Sequence, residues 1–326
     1  MPDAHLELSV VVPVYGCRAS LVALYERLTA ALRAITPDYE LLLVDDGTAD
    51  GSWDVLAGLA AADPAVRALR LSRNFGQDAA ITAGLTRSAG RWVVVMDCDL
   101  QEPPEAIPEL YTRAQEGFEV VRTVRGGRQH TRLRRAASRA YRRLLLERAR
   151  DVEYSNMSLL SRKVVDAYLS LNDSDREFTL ALDWLGFPQA AIAIDYQPRA
   201  AGESSYTLAR LLRVALAGMT FRTTVLLRVV VFIGFLVAIL GVGLAAYNVY
   251  ERFAGHQPAG YTSLVVLTLV LGGFIILSVG VVGLYVGRIF EQVRRRPLFL
   301  VDREVGGPAA EAEAARGTER ESTPRS

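Results

Sequence analysis

Only two cysteines, Cys17 and Cys98, occur in the 326 residues. They are too few and too ill-placed for a disulfide framework, which fits a reducing compartment. Charge of one sign is also missing: Lys and Arg number 37 against 36 Asp and Glu, a formal net charge of +1. With no global excess of positive charge there is no general signature for polyanions, and any basic function has to come from local clustering. Met1 to Arg18 hold one strand-length apolar run and no positively charged leader, so a signal peptide is not expected. A Gly-x-Gly-x-x-Gly fingerprint and a Gly-x-x-x-x-Gly-Lys loop are both absent, which argues against a dinucleotide oxidoreductase and a P-loop nucleotide hydrolase. No internal repeat is apparent.

What is present is an alternation of strand and helix signals. Leu8 to Val14 is an apolar run closed by Tyr15-Gly16, which predicts a buried first strand. Ser20 then caps an amphipathic helix reaching about Ile35. A second strand, Tyr39 to Val44, stops at Asp45-Asp46-Gly47-Thr48-Ala49-Asp50-Gly51. Glycines there permit positive φ and close approach to a ligand, while the carboxylates can accept from a base or ribose. Taken alone, the same stretch reads as an Asp- and Gly-rich turn. A helix from about Ser52 precedes a third strand, Val66 to Leu71, whose polar loop Ser72 to Asp78 leads into a helix over Ala79 to Ser88. Val120 to Val124, Tyr154 to Leu160 and Ala190 to Tyr196 add strands, the last at a sheet edge. Helices are expected at Pro104 to about Glu116, Ser161 to Leu171 and around Arg176 to Leu185. This alternation predicts an α/β, mostly parallel sheet with right-handed crossovers, so the polar loops after successive strands gather along one rim.

The fourth strand carries the chemistry. Val93-Val94-Val95-Met96 ends abruptly in Asp97-Cys98-Asp99-Leu100-Gln101-Glu102-Pro103-Pro104. Side chains alternate across a strand, so Asp97 and Asp99 leave on the same side and Cys98 on the other. Two converging carboxylates without a basic neighbour repel each other, which suits a hard divalent cation with oxygen ligands. Gln101 can supply a further oxygen, and Pro103-Pro104 start the next helix. The plainer alternative is a solvated loop or a helix cap.

Beyond the fifth strand, Arg125 opens an Arg-dense segment that reaches Arg150 and is interleaved with Leu133, Ala136, Tyr141 and Leu144. That spacing gives a basic amphipathic helix suited to anionic headgroups or a phosphorylated ligand, with a solvated charged face as the alternative. Two apolar segments, about 225–250 and 261–287, each exceed the roughly 20 residues that cross a bilayer as a helix. Arginines crowd their outer flanks, so both termini are expected in the cytoplasm. Residues 207–224 read as an interfacial helix, and in the tail 288–326 the chain beyond Pro297 has no apolar period and is expected to be disordered, from about 305 at the latest. A chain already tied to the bilayer needs no nucleic acid to explain its arginines, and none is expected as a partner.

Pro13-Val14-Tyr15, Val44-Asp45-Asp46-Gly47, Ser72-Arg73-Asn74-Phe75-Gly76, the Met96 to Pro104 stretch, Gly202-Glu203-Ser204-Ser205-Tyr206 and Gly283 to Phe290 occur in one order. This ordered set, spread over about Leu8 to Glu304, resembles the polyprenyl-phosphate glycosyltransferases of glycosyltransferase family 2, among them dolichyl-phosphate mannose synthase and bacterial two-span sugar transferases. The resemblance implies a GT-A domain over 1–206, the interfacial helix 207–224, the hairpin 225–287 and a cytoplasmic tail. It implies an inverting sugar transfer from a nucleotide donor, uridine ahead of guanosine, to a polyprenyl phosphate at the cytoplasmic face of the cell's inner membrane, with self-association left open.

Carried over by position, Pro13, Tyr15, Asp45, Asp46, Arg73 and Asn74 would serve the donor. Asp97, Asp99 and Gln101 would hold Mg²⁺ or Mn²⁺, and Arg125, Arg199 and Ser204 would bind phosphate near the acceptor. Relatives usually have Asn-Glu where this chain has Gly16-Cys17, many have a Lys where it has Glu203 and Ser205, and some place a proposed catalytic Asp where it has Asn156. A phosphomonoester has its second pKa near 6 and is largely dianionic at neutral pH, so the acceptor needs no strong base. Asn156 is therefore expected to orient the acceptor without taking a proton. Rival readings are a membrane glycosyltransferase acting on a lipid or glycan hydroxyl, and a catalytically silent nucleotide-binding scaffold.

Overall fold

Apolar side chains at every position of a strand require cover on both faces of its sheet. Strand β1 (Leu8–Val14) is buried throughout, and its residues divide between two cores. Leu8, Val10, Val12 and Val14 pack with α1 (Leu21–Arg33), α2 (Ser52–Ala62) and α4 (Ile107–Gln115). Val11 points the other way, against α3 (Gln77–Arg87), α5 (Arg162–Ser170) and α6 (Phe178–Leu185). The contact with α3 is close: a Cβ on Gly84 would lie 2.3 Å from Val11 Cγ1.

The computed structural model describes residues 6–125, 154–171, 173, 176–195, helical positions between 232 and 250, 260–294 and 296–307. Strands β2 (Tyr39–Asp45), β3 (Val66–Leu71), β4 (Trp92–Val95), β5 (Val120–Arg125), β6 (Tyr154–Ser161), β7 (Gln189–Ile194) and β8 (Val301–Val305) join β1 in one eight-stranded sheet of order β7-β5-β6-β4-β1-β2-β3-β8. The centre, β4-β1-β2-β3, is parallel, as the alternation of strands and helices predicts. The flanks are mixed, because β6 runs antiparallel to both β4 and β5 while β7 pairs in parallel with β5 at the edge.

Residues 301–305 correct one expectation. The segment after Pro297 is not structureless there: β8 pairs antiparallel with β3 and covers that sheet edge. Arg67 fastens it, donating to Glu304 Oε1 at 2.9 Å. Two valines flanking Asp-Arg-Glu in a run of five residues do not betray a strand by pattern, and its stability comes from the open edge it meets.

The chain divides into two units, one made of 1–129, 150–203 and 296–326 and holding the sheet, the other of 130–149 and 204–295. In the second unit α7 (Gly260–Val293) is a continuous helix of 34 residues, with Leu264, Ile275 and Val279 exposed. Residues 232–236 are helical too, and a Cβ on Gly234 would meet the Phe274 ring at 2.8 Å. Counted over the described residues alone, no helix is long and apolar enough to cross a membrane. In α7 the side chains are described along only part of its length. The expected basic helix within 125–150 and the interfacial helix 207–224 lie outside the described residues, apart from Arg125, which ends β5.

Candidate active site

From β1 the chain steps outward to β2 and β3, then returns so that β4 lies on the other side of β1. Helices α1 and α4, which follow β1 and β4, pack on one face of the sheet, while α3 makes the return from β3 to β4 across the other. The loops at the ends of β1 and β4 thus lie side by side where the strand order reverses, the place where an open α/β sheet takes a ligand. A cavity of about 290 Å³ opens there, lined by Pro13 to Tyr15 and Cys17 after β1, Asp46 after β2, Asn74, Gly76 and Gln77 around the start of α3, and Asp97 to Asp99 after β4.

Alternation along β4 continues past its end. Val94, Met96 and Cys98 face the core of α1, α2 and α4, whereas Val93 and Val95 face that of α3, α5 and α6. Asp97 stands on the α3 side, where two amides hold its carboxylate. Gln77 Nε2 donates to Oδ1 at 2.6 Å and Asn156 Nδ2 to Oδ2 at 2.9 Å. Gln77 is the first residue of α3, and Asn156 lies on β6 opposite the extension of β4, in the register that pairs Val95 with Ser158. Asp99 Oδ1 accepts the Gln101 N–H at 3.1 Å. Between them Leu100 has φ 58°, the only non-glycine residue in the left-handed region among the described residues. Such a conformation costs an L-residue about 1 to 2 kcal/mol, strain that the surrounding bonds hold in place.

Asp46 is buried, and its two oxygens accept the N–H groups of Phe75 and Gly76 at 2.7 and 2.9 Å. It thus pins the loop that carries Asn74 and Gln77. Gly47, at φ +66°, makes the approach feasible, since a Cβ there would sit 2.5 Å from the Arg73 carbonyl carbon. Asp45 lies beneath the cavity, accepting from Thr48 N at 2.9 Å and facing Arg70 Nε at 3.4 Å. Burial pushes both carboxyls above the ordinary aspartate pKa, against the pull of these hydrogen bonds.

The cysteines require a correction. Cys17 and Cys98 are joined by a disulfide, with Cα atoms 6.1 Å apart. They are 81 residues apart in sequence, and the parallel pairing of β1 with β4 brings their loops together. Ser20 Oγ adds a second tie, 2.9 Å from Cys17 O and 2.7 Å from Cys98 O.

The other expected positions fall as follows. Pro13, Tyr15, Asn74, Asp97 and Asp99 line the cavity, Tyr15 with an exposed ring. Gln101 contributes its main-chain N–H and is outside the lining. Arg73 is exposed and stacks over the Phe75 ring at 4.2 Å. Of Arg125 only the strand position is described, and Arg199 and Ser204 lie outside the described residues. Gln77 is the residue that sequence reasoning passed over. Its one signal was a place in the polar loop after β3.

Among the described lining residues there are three carboxylates and no Lys, Arg or His. A diphosphate entering this cavity would meet these three carboxylates. No group of three His, Cys, Asp or Glu that could hold a metal occurs among the described residues. The donor set fits a Mg²⁺- or Mn²⁺-like ion of the kind held by one or two carboxylates and completed by ligand phosphates.

An open α/β sheet with a crevice at its switch point defines an α/β enzyme that takes its ligand at the carboxyl ends of its strands. The glycosyl transferase family 2 pattern matches residues 9–169. The uncharacterized glycosyltransferase YkcC of Bacillus subtilis (strain 168) is 33% identical over 307 residues, covering 93% of this chain and 95% of that one. The undecaprenyl-phosphate 4-deoxy-4-formamido-L-arabinose transferase of Yersinia pestis (strain Pestoides F) is 35% identical over 315 residues, covering 94% and 95%. A crystal structure of glucosyl-3-phosphoglycerate synthase from Mycobacterium tuberculosis, in complex with Mn²⁺, uridine diphosphate and glucosyl-3-phosphoglycerate, aligns with TM-score 0.44 at 19% identity over 67% of this chain and 78% of that one. The chain belongs to glycosyl transferase family 2 and is a glycosyltransferase with a GT-A domain.

Proposed function

We propose that this enzyme transfers a sugar, with inversion, from a nucleotide-diphosphate sugar to a polyprenyl phosphate at the cytoplasmic face of the inner membrane. The observation that carries the reading is the pairing of Asp97 and Asp99 in a cavity with no basic lining residue among those described, in a chain similar over most of its length to a named undecaprenyl-phosphate transferase. Asp97 and Asp99 would hold Mg²⁺ or Mn²⁺, which when bound neutralises charge growing on the leaving diphosphate. Gln77 and Asn156 keep the Asp97 carboxylate in one orientation by donating to both of its oxygens. Pro13, Tyr15 and Asn74 form the nucleoside wall, a uridine nucleotide being the favoured occupant, and Asp46 holds the loop behind it.

Asn156 cannot act as a base, and none is needed when the attacking oxygen belongs to a phosphomonoester already ionised at neutral pH. Arg125, Arg199 and Ser204 are assigned to the acceptor phosphate, and Gln101 to the outer part of the cation site. The apolar segments 225–250 and 261–287 anchor the chain as a hairpin with both termini cytoplasmic. Their length, their arginine flanks and the exposed apolar side chains of α7 support this topology. Anchoring confines enzyme and lipid to one surface and raises their effective concentration.

The test offers membranes containing the protein a panel of labelled nucleotide sugars, with and without chelator, and follows label into the organic phase. Chelator-sensitive labelling of an acid-labile phospholipid is expected. Label on a lipid hydroxyl, or nucleotide binding with no transfer, would replace this proposal with one of its rivals.

A further inference from the structure

Both cysteines of the chain line the same cavity, one on the wall after β1 and one between the two aspartates after β4. We infer that Cys17 and Cys98 form a reversible thiol–disulfide pair that sets how tightly this cavity holds a nucleoside diphosphate. The inference rests on reading the cavity as the donor site.

The bridge spans the switch point of the sheet, linking the segment that carries Tyr15 to the loop that carries Asp97 and Asp99. The sheet does not need it for its own assembly. β1 and β4 are already joined in register from Leu8–Trp92 to Val11–Val95, and Ser20 Oγ lies within hydrogen-bond distance of both cysteine carbonyls. What the bridge adds to these main-chain ties is a side-chain restraint on the short Tyr15–Cys17 segment. Gly16 there has φ +69° with open space around it, and Tyr15 is 59% exposed. Opening the disulfide frees this wall while the strands beneath stay paired.

The two sulfurs differ in access as an exchange reaction requires. Cys17 is partly exposed at the mouth, whereas Cys98 is buried at 5% exposure. In the dithiol form, the Cys17 thiolate attacks a small-molecule disulfide R–S–S–R, giving a mixed disulfide and one R–S⁻. The Cys98 thiolate then attacks Cys17 Sγ and expels the second R–S⁻, so two protein thiols are oxidised and one disulfide is reduced to two thiols. A dithiol reverses the sequence.

Closing the bridge removes freedom that ligand binding would otherwise have to remove, so the bridged form binds more tightly. Reduction is expected to weaken Mg²⁺–UDP binding roughly 3- to 10-fold. Full-length protein in detergent would be equilibrated with glutathione disulfide or dithiothreitol, and thiols would be counted after denaturation. None are expected in the first state and both in the second. Calorimetry with UDP and with GDP, each with Mg²⁺, would then compare the states, alongside Cys17→Ser, which should match the reduced form and ignore oxidant.

Two free thiols after glutathione disulfide, equal affinity in both states, or a lower unfolding temperature on reduction with no change in affinity would each overturn the inference. If neither nucleotide binds in either state, the donor reading fails, and hydrogen exchange at Asp97 to Gln101 decides the rest. Faster exchange on reduction upholds control of this loop by the pair, and unchanged exchange refutes it.

Discussion

Replacing Asp46 by asparagine separates holding the cavity wall from touching the ligand. The wild-type carboxylate accepts two main-chain N–H groups, at 2.7 and 2.9 Å, from a loop about 30 residues away in sequence. Each such bond to a charged acceptor is worth about 1.5 to 3 kcal/mol. Against that stands the desolvation of a side chain only 3% exposed, visible in its raised pKa. Asparagine keeps one acceptor but turns an NH₂ toward the second N–H, so one bond is lost and two donors face each other.

The net loss is about 2 to 3 kcal/mol, which lowers the unfolding temperature by about 4 to 10 °C in a domain of this size. Because the loop carries Asn74 and leads into Gln77, nucleotide affinity falls with it. Differential scanning fluorimetry of full-length protein in detergent, with calorimetric titration of nucleoside diphosphate, reads both effects. A variant that unfolds at the wild-type temperature but loses nucleotide affinity would refute the argument. The carboxylate would then act on the ligand, and something else would hold the loop.

The pH dependence of the same comparison has a definite sign. Folded-state pKa values of Asp45 and Asp46 lie above the unfolded value of about 3.9, so the folded protein takes up these protons first. Their stabilising contribution is full below that value and is lost as pH rises through the folded pKa. The stability gap between wild type and Asp46→Asn in urea titrations should therefore widen as pH falls from about 6 to about 4, and a gap that narrows contradicts the burial argument. Gln77→Ala removes one of the two amides on Asp97 and should raise the Mg²⁺ concentration for half-maximal transfer about 10- to 100-fold, with little change in unfolding temperature. An unchanged metal requirement would show that Gln77 does not position Asp97 for the cation. Asp99→Ala should abolish chelator-sensitive transfer and leave membrane insertion intact, so retained transfer sinks the cation assignment. Asn156→Ala should lower turnover, and unchanged turnover would remove Asn156 from the site.

Local chemistry was legible in the amino-acid order. A period of two along an apolar run determined that Asp97 leaves β4 on the face opposite Cys98, and the strand–helix alternation determined that the polar loops share a rim. Strand order is a different kind of information, because nothing within β4 states that it returns to the far side of β1. That placement alone brings Cys17 to Cys98, and it leaves the crevice in which Asp97 meets two amides. The roles of Asp46 and Gln77 were likewise decided by partners on other elements: an aspartate in an Asp-Gly turn looks the same in sequence whether its oxygens face a ribose or the N–H groups of Phe75 and Gly76. Side-chain direction follows from the covalent backbone and can be read along the chain, whereas the atoms a side chain meets depend on which distant segment packs beside it.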